Sequence, residues 1–128
     1  MPDARREVIP EGMARPGGHY SHAAVGAGLV FVSGQLATTP AGIRLNDQPF
    51  DTQVNQTLAN VAAALAGAGS SIEKLLSVRV YLADIEDWAA FNVLYAAWAG
   101  NARPARAVVP VPALHYGFRI EIEAVALA

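Results

Sequence analysis

Cysteine is absent from the 128 residues, which excludes disulfides, thiolate metal sites and a cysteine nucleophile within the chain. Charge is scarce as well: Asp, Glu, Lys and Arg make up 16%, and the net charge is −2. The basic residues are scattered, so no stripe of cations faces a phosphate backbone, and nucleic-acid binding has little electrostatic support. No apolar run approaches membrane-spanning length, and the charged start Met1-Pro2-Asp3-Ala4-Arg5-Arg6-Glu7 leads into no signal-like apolar core. A soluble cytoplasmic protein without membrane contact is the expectation. What is plentiful is apolar side chain, at 53%, too much for disorder and high for a small domain wetted on every side. Part of that surface is expected to be buried between subunits. The length fits one domain, taken as 18–128 after an N-terminal lead-in segment at 1–17.

Pro10, Gly12, Pro16, Gly17 and Gly18 punctuate the lead-in as loop. Residues 20–25 and 29–35 read as two strands joined by the tight turn Gly26-Ala27-Gly28, which favours an antiparallel pair. A loop follows, with a short strand expected at 43–45. From Asp51 the period changes: Val54, Leu58, Val61 and Leu65 recur at helical spacing, Asp51 is placed to cap the start, and Gly67 and Gly69 end the run. Ser70 and Glu73 have the spacing of a capping box. Leu76, Val78, Val80 and Leu82 then alternate with polar residues as in a strand. Asp84 is placed to cap a second helix, whose stripe Trp88, Phe91, Tyr95 and Trp98 is expected to pack on the sheet. Strands at 106–111 and 119–127 close the chain. This order implies a two-layer α+β domain with both helices on one sheet face. In the last strand Ile120, Ile122, Ala124 and Ala126 point one way, while Arg119, Glu121, Glu123, Val125 and Leu127 point the other. Such a mixed face suits a cleft between subunits.

The sharpest chemical candidates are Arg106 and Glu121, charges set in apolar, β-prone segments. Arg106 offers a planar fork that holds a small carboxylate through two parallel hydrogen bonds. Glu121 is placed to orient or deprotonate a water, with Glu123 as a fallback base. From these residues alone, a salt bridge between two strands is the favoured reading of the pair, since ion pairs outnumber active sites. Tyr20 and Ser33 supply hydroxyls at strand ends, and Gly34 marks either a close backbone approach or a bulge. His19, His22 and His115 lack the spacing of a metal site, and the glycine pairs precede strands instead of helices, so no phosphate loop is expected.

The segments Tyr20-Ser21-His22-Ala23, Val30-Phe31-Val32-Ser33-Gly34-Gln35, residues 53–60, Ala68-Gly69-Ser70-Ser71, Val80-Tyr81-Leu82, Phe91-Asn92 with Tyr95, Pro104-Ala105-Arg106 and Glu121-Ile122-Glu123-Ala124-Val125-Ala126 occur in one order. Together they resemble the RidA, or YjgF-type, reactive-intermediate deaminases, also labelled the endoribonuclease L-PSP family. The likeness runs from about Gly18 to the C-terminus. It implies a chorismate-mutase-like α+β fold, with a mixed sheet carrying two helices on one face, assembled as a homotrimer with sites between subunits. It also implies hydrolysis of an enamine or imine such as 2-aminoacrylate or 2-iminopropionate to the 2-oxo acid and ammonia, without metal or organic cofactor. By position Arg106 would hold the substrate carboxylate, helped by the backbone at Val108. Glu121 would position the water, and Tyr20, Ser33, Gly34 and Asn92 would line the same pocket. A larger, aminomuconate-like imine and a non-catalytic carboxylate-binding or interaction module are the alternatives; a ribonuclease, suggested by the family label, is disfavoured by the charge. The chain departs from the family at Val108, where Cys is frequent, and at His19 and His22, which replace the common Pro and Gln and are expected to alter the pocket rim and its pH response. Tyr116 and Phe118 are expected to narrow the entrance.

Overall fold

The computed structural model describes residues 4–128. Six strands form one sheet: β1 (Arg6–Val8), β2 (Ala23–Gly26), β3 (Leu29–Gln35), β4 (Leu75–Leu82), β5 (Ala105–Pro110) and β6 (Ile120–Leu127), in spatial order β1-β2-β3-β6-β4-β5. All neighbours are antiparallel except β4 and β5. Helix α1 (Phe50–Gly67) connects β3 to β4, and α2 (Trp88–Ala99) connects β4 to β5. In both connections the strands run the same way, so each needs a long crossover, which the helix supplies.

The β2–β3 hairpin turns on Ala27 (φ 54°) and Gly28 (φ 76°). Two successive left-handed residues match the twist of an antiparallel pair. Residues 20–22 lie outside β2, whereas β1, unassigned from sequence, pairs with β2 and is tied to the end of α1 by Arg6 Nη2 donating to the Ala68 carbonyl at 3.1 Å. The expected short strand at 43–45 is reduced to a single bridge between Thr38 and Arg44.

Helix α1 buries Phe50, Val54, Leu58, Val61 and Leu65 on one stripe, as its periodicity requires. Its start corrects the expectation: Pro49 occupies the cap position and no side chain caps the helix, while Asp51 accepts only from Thr52 N–H. Its end is a Schellman motif, with Ser70 N–H donating to Leu65 O and Gly69 N–H to Ala66 O around Gly69 at φ 81°. Ser70 Oγ donates to Leu127 O at 2.6 Å, so the Ser70–Glu73 capping box does not form. Asp84 does cap, but it caps the 3₁₀ turn Ile85–Asp87 ahead of α2, accepting from Glu86 N–H.

The core lies between the helices and one sheet face, where Val30, Val32, Val78, Val80, Ile120 and Ile122 meet α1, Phe91 and Tyr95. Of the aromatic stripe, Phe91 and Tyr95 are buried and Trp98 packs against them, but Trp88 is exposed. Strand β6 alternates as read, with Ile120, Ile122, Ala124 and Ala126 inward. Arg119 is the exception: it precedes the strand and pairs with both carboxylate oxygens of Asp87 at 2.9 Å, with its guanidinium 4.9 Å from the Phe50 ring. No helix among the described residues is long and apolar enough to cross a membrane. The second sheet face carries no helix and leaves Phe31 and Leu127 about half exposed.

Candidate functional site

Glu121 projects from β6 onto this uncovered face. Its strand alternates with buried Ile120 and Ile122, and it sits opposite Tyr81 in the ladder. The β3–β6 pairing shifts register between Val32 and Gln35, so Ser33 and Gly34 form a bulge there. That bulge makes room for the acid: a Cβ added at Gly34 would collide with the Glu121 carboxylate. Ser33 Oγ donates to Ser21 O at 2.7 Å and Ser33 N–H to His22 O at 2.9 Å, fixing the bulge against the segment that carries Tyr20. Tyr20, Ser33, Gly34, His115, Tyr116 and Glu121 together line a cleft of about 450 Å³. Burial raises the Glu121 pKa above its ordinary value; His115 opposes the rise and the like charge of Glu123 adds to it. Glu123, the fallback base, accepts a hydrogen bond from Tyr81 Oη at 2.6 Å. That bond is the largest cause of the raised Tyr81 pKa.

Arg106 lies elsewhere. On β5 it is opposite buried Val78, which in turn faces buried Ala124, so its side chain points to the helix layer. Its guanidinium carbon is 4.8 Å from the Tyr95 ring centroid and 5.7 Å from that of Phe91. Asn92, Tyr95, Gly100, Arg103, Pro104 and Arg106 line a second cleft, also about 450 Å³. Tyr95 Oη is buried without a hydrogen-bond partner, and burial raises its pKa against the pull of Arg106. Val108 packs its side chain on the core; its backbone lies on an edge strand that pairs only with β4 among the described residues.

The residues expected to form one site therefore fall into two groups. Tyr20, Ser33, Gly34 and Glu121 come together, as do Asn92 and Arg106, but the groups occupy opposite faces of the sheet, with β4 between their strands. This excludes the Arg106–Glu121 salt bridge within one chain. Among the described residues the ion pairs are Arg5–Glu7 and Arg119–Asp87, and Arg106 belongs to neither.

His22 lies buried behind the Glu121 cleft and not at its rim. Its Nε2 is 2.7 Å from the Ala14 carbonyl and its Nδ1 3.2 Å from Gln35 Nε2, contacts that suit an Nε2–H donor and an Nδ1 acceptor. Phe118 is also buried and leaves the entrance to Tyr116. No three His, Asp or Glu side chains gather as a metal set among the described residues. Sequence reasoning assigned Tyr95 to packing alone. Its contact with Arg106 joins α2 to an edge strand, and helical spacing carries no signal of that.

The sequence model of the family described as endoribonuclease L-PSP matches residues 12–128. The chain belongs to this family, the RidA group. A RutC family protein of Pyrococcus horikoshii is 37% identical over 122 residues, covering 94% of this chain and 97% of its own. A goat (Capra hircus) protein named 2-iminobutanoate/2-iminopropanoate deaminase is 36% identical over 110 residues, covering 86% and 80%. In structure, RidA from the Antarctic bacterium Psychrobacter sp. superposes with a TM-score of 0.90 at 30% identity, covering 96% of this chain and 99% of that one. The mixed sheet with two helices on one face is thus the YjgF/RidA fold.

Proposed function

We propose that this RidA-family protein hydrolyses 2-imino acids and their enamine tautomers to 2-oxo acids and ammonia, in clefts that two copies of the chain complete together. The observation that carries this reading is the division of the site: a guanidinium without an acidic partner among the described residues on one face, and a half-buried carboxylate on the other. A homotrimer in which the uncovered sheet faces pack inward brings the Arg106 half of one subunit to the Glu121 half of the next. It also buries Phe31 and Leu127.

In such a cleft Arg106 binds the substrate carboxylate through a bidentate pair, and the free edge of β5 around Val108 offers backbone donors. Tyr20, Ser33 and Asn92 shape the walls, and Gly34 leaves space for the acid. Glu121 in its ionised form takes a proton from water as the oxygen attacks C2 of the protonated imine, giving a tetrahedral amino alcohol. Glu121 then returns that proton to nitrogen and, ionised again, takes the hydroxyl proton as the C–N bond breaks, so that ammonia leaves and the C2 carbonyl forms; the acid afterwards releases its proton to solvent. An enamine enters this sequence after protonation at Cβ. The imine carbon is already electrophilic, so positioning and charge neutralisation suffice without a covalent nucleophile. The ligand assigned here is a small acid, not RNA: with net charge −2 the chain has no excess of cations for a phosphate backbone.

The test generates 2-iminopropanoate in situ and traps what remains with semicarbazide. Wild type is expected to speed its loss and Arg106→Ala to abolish the effect. Binding of 2-oxo acids that requires Arg106, with no change in imine lifetime, would select a non-catalytic carboxylate-binding module instead.

A further inference from the structure

The Glu121 cleft does not end at Glu121. A groove of about 340 Å³ continues from it, sharing Gly17, Tyr20, Gly34 and Tyr116 as walls and adding Arg15 and Arg44. No Asp or Glu lines this extension, and neither arginine belongs to an ion pair among the described residues.

Arg44 is held in place. Its guanidinium carbon stacks 3.5 Å from the centroid of the Tyr116 ring. That ring stands edge-on to buried Phe118 at 6.2 Å. Tyr116 adopts a left-handed backbone (φ 59°, ψ 15°), uncommon for a bulky residue, and its carbonyl accepts from Asn46 Nδ2 at 2.9 Å. The hairpin bearing Arg44 is fastened by its bridge to Thr38 and by Ile43 N–H donating to Thr39 Oγ1 at 3.0 Å. Buried Asn60 fastens its base, donating from Nδ2 to the carbonyls of Leu36 and Thr38 at 2.9 and 2.8 Å. Stacking occupies the face of a guanidinium and leaves its in-plane N–H groups free, so a stacked arginine still offers its fork to a carboxylate.

Resting on the deaminase reading above, we infer that this chain is built for 2-imino acids with a second, distal carboxylate. Arg106 of one subunit takes the carboxylate beside the imine, and Arg44, set by Tyr116 and assisted by Arg15, takes the far one. Arg44 and Tyr116 are specificity-determining residues on this assignment.

The experiment compares 2-iminoglutarate with 2-iminohexanoate, made in situ from glutamate and norleucine by an amino-acid oxidase. The readout is the ratio of kcat/KM for the two imines, in which a general loss of activity cancels. Wild type is expected to favour the acidic imine. Arg44→Ala should lower the ratio roughly tenfold or more, and Arg44→Lys should retain part of it. Equal values in wild type, or a preference that survives Arg44→Ala, would overturn the inference and leave the deaminase reading standing. If no imino acid is hydrolysed faster than in buffer, the deaminase reading fails, and calorimetry with 2-oxoglutarate and 2-oxohexanoate decides the groove by itself. An Arg44-dependent preference for 2-oxoglutarate supports the second-carboxylate site, and equal binding removes it.

Discussion

The Glu121 carboxylate lies over the backbone of Gly34, in space that a Cβ there would claim: an added methyl would come within 3.1 Å of Glu121 Cδ. Gly34→Ala must therefore move the carboxylate, and because only the far end of a flexible side chain has to yield, the fold survives. Deaminase activity is expected to fall on the order of 10²-fold, as displacements of about 1 Å do in positioned sites, with stability within about 1 kcal/mol of wild type. Steady-state kinetics beside a denaturant titration checks both; full activity would show that the acid does not need this perch.

The pH dependence follows from the burial of Glu121. Only the ionised acid accepts a proton from water, and desolvation raises its pKa. Activity should accordingly be lost as pH falls through that raised value, and Glu121→Gln should lose most activity, about 10²–10⁴-fold, together with the acidic limb. For stability the sign is opposite to the usual carboxylate case. A raised folded pKa costs nothing below the unfolded value; the cost grows as pH climbs between the unfolded and folded values and is complete above them. Thermal melts of Glu121→Gln should exceed wild type at pH 7 and lose that advantage near pH 3.

If each cleft draws its arginine and its glutamate from different copies, two dead variants should rescue one another. Trimers reassembled at random from equal amounts of Arg106→Ala and Glu121→Gln chains contain about one cleft in four with both groups intact. Recovered activity near a quarter of wild type, absent from either parent alone, is the expected result. A mixture as inactive as its parents would mean that the two groups do not meet across subunits.

Gln53 is fully buried and serves three backbone groups: its Nε2 donates to Asn46 O at 3.3 Å and Gln48 O at 3.0 Å, and its Oε1 accepts from Arg119 N–H at 3.0 Å. Gln53→Ala strands these partners and opens a void. A loss of about 2–4 kcal/mol in urea unfolding is expected, although the side chain lines neither candidate cleft.

Legibility in the sequence tracked the range of the interaction. Alternation in β6 and the stripe on α1 are local and were read correctly, because a period of two or 3.6 is written in neighbouring residues. Cap geometry at Asp51 and Ser70 was misread because both side chains found other partners, one of them, Leu127 O, on a distant strand. The ordered motifs named residues that line the two clefts. Their separation was not legible: Arg106 stands in an apolar run, Ala105-Arg106-Ala107-Val108-Val109, whose facing only the pairing of Val78 with Arg106 reveals. His22 and Phe118 looked like rim residues because sequence neighbourhood near a site carries no information about burial.

Strand β6 has one face in the core and the other toward the candidate chemistry. Successive codons therefore answer to different selective pressures. A saturation scan scored separately for abundance and for turnover should beat in counterpoint along this strand, with abundance falling at Ile120 and Ile122 and turnover at the Glu121 between them. Drift in what the protein acts on can then proceed on one side of the sheet while the other keeps the chain folded.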